Sequence, residues 1–525
     1  MNRKVFVVVV SSLILGASSR SLGVFAAAPI KAAGESGDSA TESHIRESIG
    51  LPARPTSART VEVGPLTLSA SEAETFARFG KMKEQAQELS WLVLGDPTVI
   101  SYVYDTNISK PAVTIWTSND GPSPSLPDYM KQLSQLGFSV VVKSVPYSKG
   151  DYLAVRNASS RELFGIATDV DINPRVKQRI ELTDENLAAG EAAVELIRNL
   201  RSKGFGVYDT YLPSDEPIVE LVMSAEGLKD SASTDLSKLN GTMVLKKGSP
   251  AVATQAGGPW PGSGTTWSGR LLIEANARGG KRFSGSGSCT SGPVVRSQYG
   301  TDYIFSAGHC YDGQYGTTPT PSGTTSGVAV AIFASCNVSN VPTCSPNTYG
   351  GVDTSVWSIT SGGATGWFVH QGPPPPPYLS SVQGTAYTDA TLGSLDLNAG
   401  DPLVCIEGAS VNKYGGSSNL NAISSCGVAG GWSGAGYQYL NMYPGNGICH
   451  GDSGAYVRNP SGGSGSYNAG NFRGVASTSI PEIGGCWVRV GNSAPALPAQ
   501  ITTFYKAHLW LHNLTGGVSV WSKTW

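Results

Sequence analysis

All eight cysteines of this 525-residue chain lie between Cys289 and Cys486, and none falls in the first 249 residues. An even set with no C-x-x-C pair points to disulfides rather than metal ligation, although spacing alone leaves the pairing open. The same set divides the chain. A cross-linked segment can fold with few charges and a modest core, whereas a cysteine-free one must rely on packing alone. Charge divides at the same place: 29 of the 39 acidic and 26 of the 37 basic residues precede residue 250, leaving 10 and 11 after it. The first part is therefore a charge-rich module. The second is crowded with Gly, Ser and Thr around short apolar runs, the pattern of an all-β domain. A chain of this length exceeds what one core usually organises, so two units are expected.

The first residues give the compartment. Arg3 and Lys4 precede an apolar stretch over 5–15, and Ala26-Ala27-Ala28 before Pro29 offers a small-residue cleavage site, so residues 1–28 read as a secretory signal peptide. The apolar run is too short to span a bilayer. The net charge of −2 and the lack of a basic stripe speak against nucleic-acid or membrane partners.

Residues 29–60 are polar and Ala/Ser-rich and are expected to be a flexible lead-in. From 61 to 226 the pattern is α/β. Ser71 with Glu74 reads as a capping box ahead of an apolar face at Phe76, Phe79, Met82, Ala86 and Leu89. Strands are expected at 99–104, 113–116, 138–145 and 218–223, with helices at 127–136, stopped by Gly137, and at 183–203, stopped by Gly204. Residues 227–267 are rich in chain breakers and read as a linker with a processing site. From 268 to 525 short β-type runs alternate with turns, and the five prolines at 373–377 form a surface loop.

Peptide hydrolysis by a serine needs a hydroxyl, a base to take its proton, an acid to orient that base, and N–H donors for the oxyanion. One candidate exists for each role. Ser453 lies in Cys449-His450-Gly451-Asp452-Ser453-Gly454, where the glycines allow the N–H groups of Gly451 and Ser453 to converge. His309 lies in Ser306-Ala307-Gly308-His309-Cys310, directly after an apolar strand. Asp353 lies in a mixed apolar run that would leave its carboxylate partly buried.

The order His, Asp, Ser, with Ala-Gly-His-Cys and Gly-Asp-Ser-Gly around its ends, resembles the chymotrypsin-like serine proteases, and most closely their secreted bacterial branch of streptogrisins and α-lytic protease. The resemblance covers about residues 268–525. It implies an all-β catalytic domain of two Greek-key β-barrels, preceded by a separate α/β pro-region at 61–226 that assists folding and blocks the site until cut away. It implies the disulfides Cys289–Cys310, Cys405–Cys426 and Cys449–Cys486, leaving Cys336–Cys344 to close a local loop. Substrate contacts are expected from Gly447, Ile448, His450, Ser477, Thr478 and Ser479, with Ser477 bonded to the catalytic Asp. Gly447 stands at the pocket base where trypsin-like members carry Asp, which favours a small or medium apolar residue before the cut, an acidic one being the alternative. Ala455 departs from the family's usual glycine, and Asp452 lacks an evident cationic partner. No cofactor or metal is implied, and the expected partners of the monomer are a peptide or protein substrate and its own pro-region. Two other readings are an inactive homologue that binds peptides and an extracellular protein whose first half is a retained binding module.

Overall fold

The computed structural model describes residues 39–522, apart from 166–181, 232–235, 258–276, 311–319, 322–328, 336–349, 360–363, 371–377, 386–401, 409–422, 460–465 and a few shorter gaps that include Ser477. The expected signal peptide and the Cys336–Cys344 bond lie outside the described residues.

The N-terminal part has two lobes, each with its own core. In the first, a helix α1 (Ser39–Ser48) and a hairpin β1 (Thr60–Val63) and β2 (Leu66–Ser69) precede a long helix α2 (Ala70–Leu89). A three-stranded sheet follows, with β3 (Val99–Tyr104) antiparallel to β4 (Ala112–Thr117) and β4 parallel to β5 (Ser139–Ser144). The helix α3 (Leu126–Leu136) joins β4 to β5, and Gly137, at φ 100°, ends it in the left-handed conformation that glycine adopts at least cost. Residues 39–51 are no flexible lead-in. Ile45, Ile49 and Leu51 are buried in the lobe core beside Leu68, Phe76 and Phe79, and that apolar burial offsets the entropy of ordering them.

The capping box at α2 also differs from expectation. Ser69 and Glu72 form it, two residues earlier than Ser71 and Glu74: the Glu72 N–H donates to Ser69 Oγ at 3.3 Å, and the Ser69 N–H donates to Glu72 Oε2 at 2.7 Å. Glu72 is drawn there by Arg46, whose buried guanidinium bonds Glu72 Oε1 at 2.6 Å.

The second lobe packs two helices, α4 (Lys149–Phe164) and α5 (Asp184–Ser202), on a sheet of β6 (Val207–Leu212), β7 (Val219–Met223) and β8 (Met243–Lys247). Capping boxes start both helices, Ser148 with Asp151 and Thr183 with Asn186. Strand β8 falls inside the stretch expected as a linker. It pairs in parallel with β7, and Leu239 and Met243 are buried in the lobe core, so the ordered module runs to residue 247.

Beyond it, six strands close into a barrel: β14 (Val404–Gly408), β15 (Ile423–Ser433), β16 (Gln438–Met442), β21 (Pro498–Thr503), β19 (Ser466–Val475) and β18 (Tyr456–Asn459), which pairs back to β14. Its interior holds Val404, Ile406, Leu440, Val457, Phe472 and Ile501. Where two closed barrels are expected, the other half of this part is, among the described residues, chiefly a five-stranded sheet. Its strands are β10 (Val294–Ser297), β11 (Asp302–Ser306), β12 (Ala329–Ser335), β13 (Thr354–Ile359) and β22 (Val520–Ser522), and it packs on the C-terminal helix α6 (Phe504–Leu514).

The module is hydrogen-bonded to the barrel. Strand β6 pairs with β15, Leu212 opposite Trp432 and Tyr211 opposite Ser433, and the N–H of Gly434 donates to Thr210 O at 2.7 Å. The sheet of the second lobe is thus continuous with the barrel sheet.

Candidate active site

Each of the three chemistry-bearing side chains is held at the end of a strand. His309 lies in a helical turn (Gly308–Cys310) right after β11, tied to the preceding β-hairpin by the Cys289–Cys310 disulfide. Asp353 immediately precedes β13, and β11 and β13 are antiparallel neighbours with Ser306 opposite Ser355. That register brings the two side chains to the same sheet edge. Ser355 Oγ donates to Ala307 O at 2.8 Å and clamps the two approaches together.

The loop carrying Ser453 runs between β17 (Gly447–Cys449) and β18. It is anchored by the pairing of β17 with β20 (Cys486–Val488) and by the Cys449–Cys486 disulfide. Thr290 fixes it from the other side, its N–H donating to Ser453 O at 2.7 Å and its hydroxyl to Gly451 O at 2.8 Å. Gly451 and Gly454 take φ of 97° and 82°. At Gly454 a side chain is excluded twice over, by that φ and because a Cβ would overlap Ser306 Oγ and Thr290 O.

The imidazole of His309 bridges the other two groups, with Nδ1 2.8 Å from Asp353 Oδ2 and Nε2 2.8 Å from Ser453 Oγ. The backbone N–H of His309 adds a bond of 2.9 Å to Asp353 Oδ1. With the carboxylate accepting from Nδ1, Nε2 is left as the acceptor for the serine hydroxyl. Asp353 is held through its backbone too: its N–H donates to Thr502 Oγ1 and its carbonyl accepts from Asn471 Nδ2, both at 2.9 Å. Burial pushes the carboxyl of Asp353 up, but His309 and the guanidinium of Arg473, whose Nε lies 3.2 Å from Oδ2, outweigh it and hold the pKa below the ordinary value. Asp353 stays ionised. Arg473 and its role were not legible in the sequence, where it is one arginine in a strand.

The remaining expected site residues scatter in role. Gly447 pairs with Val488, and its carbonyl accepts from Ser425 Oγ at 2.5 Å. Ile448 does not face a pocket: it is fully buried in the barrel core, because alternate residues of β17 point to opposite sides. The Nε2 of His450 lies 3.2 Å from Glu482 Oε1, and its ring is 5.1 Å from that of Trp487. Thr478 donates to Ala496 O at 3.1 Å, and Ser479 is exposed. Ser477 lies outside the described residues. The methyl of Ala455 is accommodated in the barrel core. Asp452 is buried and accepts the N–H of Cys449 at 2.9 Å. The third disulfide seen, Cys405–Cys426, crosses from β14 to β15.

In the intact chain this site is covered. His309 and Ser453 are 2% and 0% exposed. A short strand β9 (Val252–Ala253) pairs antiparallel with the end of β19, Val252 opposite Val475 and Ala253 opposite Gly474, and Ser249 Oγ donates to Thr478 O at 3.4 Å. Residues 249–253 thus run along the edge that leads from Arg473 to Thr478.

No family model and no curated protein matches the sequence. Among solved structures, the chain is similar to a Nocardiopsis protease, at 17% identity and a TM-score of 0.25, over 47% of this chain and 99% of that one. It is also similar to a glutamic acid-specific serine protease that utilises a histidine triad in substrate binding, at 14% identity and a TM-score of 0.26, over 46% of this chain and all of the other. Likenesses this faint do not bear on the chemistry, which rests on the geometry above. Among the described residues no helix is long and apolar enough to cross a membrane.

Proposed function

We propose that this chain is a secreted serine endopeptidase, made as an inactive precursor, in which Ser453 is the nucleophile, His309 the general base and Asp353 the group that orients it. The observation that carries the reading is the imidazole of His309 held between Asp353 Oδ2 and Ser453 Oγ at 2.8 Å on both sides. As Oγ bonds the carbonyl carbon of a substrate, Nε2 takes the hydroxyl proton, and the ionised Asp353 stabilises the imidazolium without being protonated. The N–H groups of Gly451 and Ser453 receive the negative charge on the carbonyl oxygen. His309 then gives its proton to the leaving amine, and water repeats the sequence on the acyl-enzyme.

Two features support a precursor. His309, Asp353 and Ser453 are buried, and residues 249–253 occupy an edge where an extended substrate would add as a strand. Activity then requires a cut within the segment that follows residue 247. The residue before the scissile bond is small or medium and apolar, because Gly447 brings no charge and the histidine that could greet an acidic one, His450, is already paired with Glu482.

The test compares the secreted wild-type protein with Ser453→Ala on an unfolded protein substrate, with mass spectrometry of the fragments and of the enzyme. A rate loss of about 10⁴ to 10⁶ is expected, with loss of the N-terminal module from the wild type. Equal rates overturn the nucleophile, and an active chain that keeps its full mass overturns the precursor.

A further inference from the structure

The site just described continues inward as a chain of buried polar side chains that ends in the N-terminal module. Arg473 Nε is 3.2 Å from Asp353 Oδ2, an ion-pair contact. Its Nη1 donates to Gln500 Oε1. Gln500 Nε2 is 3.4 Å from the hydroxyl of Tyr439 and donates to it. That hydroxyl donates to Asp209 Oδ2 at 3.0 Å. Every member is at least nine-tenths buried. The donors all point one way, from the guanidinium to the carboxylate of Asp209, so each bond polarises the next.

Asp209 lies on β6, the strand that docks the module on β15, whereas Arg473, Gln500 and Tyr439 lie on β19, β21 and β16 of the barrel. Around them, Tyr437 stacks on Arg473 with Cζ 4.4 Å from the ring, Tyr211 packs edge-on to Tyr439 at 4.7 Å, and Lys506 Nζ bonds Gly436 O at 2.7 Å. The backbone closes a second path. The N–H of Gly351 donates to Ala435 O at 2.6 Å, and a Cβ on Gly351 would overlap Gly436 O. The tip of the β15–β16 hairpin is thus gripped between β6 of the module on one side and the loop that carries Asp353 on the other.

We propose that Arg473 is a positioning residue for Asp353, and that Asp209 anchors the docked module to it through Tyr439 and Gln500, so that docking and the charge balance of the triad are one electrostatic system. This rests on the protease reading for its catalytic half and is independent of it for its docking half. While the module is docked, the carboxylate of Asp209 partly neutralises Arg473. After release, the full charge of Arg473 acts on the Asp353–His309 pair, where it opposes formation of the imidazolium and steadies the ionised carboxylate.

Docking acquires a pH dependence of defined sign. Burial pushes the carboxyl of Asp209 up to about 7, against the pull of Tyr439, of the Thr210 and Gly434 N–H groups and of the Arg473 charge. An undocked, solvated aspartate titrates near 3.9. The docked state therefore binds the extra proton, and docking weakens as pH rises from about 4 to about 7 and is flat above. Between pH 5 and 7 the loss is on the order of 50-fold.

The docking half is tested on the full chain carrying Ser453→Ala, by hydrogen exchange of residues 207–212 and 432–438 from pH 5 to 8, corrected for intrinsic rates. Protection of these segments falls with rising pH in the parent. In Asp209→Asn, which keeps an acceptor for Tyr439 but cannot ionise, the slope vanishes. Equal slopes in the two proteins overturn it.

The positioning half is tested on the processed enzyme by the pH dependence of Ser453 labelling with a fluorophosphonate. In Arg473→Gln the acid limb moves up by about 0.5 to 1 pH unit, since a cation beside the pair has been removed, and Arg473→Lys restores most of it. A purely structural role lowers the plateau and leaves the limb in place, and that result overturns the assignment. Should Arg473→Gln fail to fold, Arg473→Met is labelled in its place, with the same upward shift of the limb expected and an unmoved limb overturning the assignment. A wild type that never labels refutes the protease reading and leaves the docking half standing on its own measurement.

Discussion

Gly431 offers a sharp handle on the joint between module and barrel. It precedes Trp432 on β15, and a Cβ built on it overlaps the carbonyl oxygen of Leu212, a backbone atom that no rotamer change can move aside. Gly431→Ala therefore forces β6 away from β15. The bonds at stake are those of the Leu212–Trp432 and Tyr211–Ser433 pairs and the 2.7 Å bond from the Gly434 N–H to Thr210 O. Taken as about three hydrogen bonds at about 1 kcal/mol each, the loss is about 3 kcal/mol, or roughly a hundredfold in the docking constant. On the barrel side alone the added methyl meets no comparable obstacle among its three nearest atoms, since all of them belong to Leu212 and Pro213. In the full chain with Ser453→Ala, hydrogen exchange at the Gly434 amide should quicken by about two orders of magnitude. Gly491→Ala, where a Cβ meets nothing within 4 Å, serves as the control and should leave it unchanged. Unaltered protection at Gly434 in Gly431→Ala would refute the strand pairing, because no docked geometry accommodates the methyl.

Two further predictions concern buried charge. Arg458 and Glu407 form an ion pair between β18 and β14, on the face of those strands opposite Ile406 and Val457, at 2% and 0% exposure, with Ser424 Oγ donating to Glu407 Oε2 at 2.7 Å. Arg458→Met should cost about 3 to 5 kcal/mol in urea unfolding by stranding the carboxylate, and Glu407→Leu added to it should recover most of that; a single variant within about 1 kcal/mol of the parent counts against the buried pair. In the module, burial pushes the ammonium of Lys149 down to about 8, against the attraction of Asp96, while its Nζ bonds Asp96 O at 2.8 Å. The unfolded chain holds that proton to about pH 10.4. Stability of the module should therefore rise with pH from about 8, gaining about 2 kcal/mol by pH 9.5, before tyrosines ionise. Lys149→Met should give a flat profile, and a parent whose stability falls across this window would contradict the sign.

How much of this the sequence discloses depends on the range of the interactions. His309, Asp353 and Ser453 are legible because each sits in a local string whose glycines and flanking strand already imply the turn that presents it. The helices closed by Gly137 and Gly204 are legible for the same reason, since a left-handed stop is a one-residue signal. Helix α4 is not legible in this way, although Ser148, Asp151 and Gly165 cap it by local rules; its sequence has no clear apolar stripe because it is covered on more than one face, with Gly150, Tyr152 and Val155 all buried. Arg473, Gln500, Tyr439 and Asp209 could not be found at all. They are separated by up to 291 residues in sequence, Asp209 to Gln500, and only strand pairing brings them into one line.

That line also bears on why the joint takes the form it does. A surface meant to stay closed gains most from apolar contact, and the module does have some, since Leu403, Tyr443 and the Cys405–Cys426 disulfide pack into the core of its first lobe. At β6, however, the joint carries a carboxylate whose burial is costly enough to raise its pKa to about 7, although it accepts from the Tyr439 hydroxyl and the Thr210 N–H. A well-packed apolar residue at 209 would hold the module more firmly than Asp209 does. The arrangement instead makes docking strong where the carboxyl is protonated and weaker where it is ionised, which suits the precursor proposed above, whose N-terminal segment would first hold the barrel and later leave it. The same aspartate sits at the far end of a polar chain from Asp353. In the proposed precursor, departure of the module and the final electrostatic setting of the triad would therefore follow from one event, the loss of Asp209 from the hydroxyl of Tyr439.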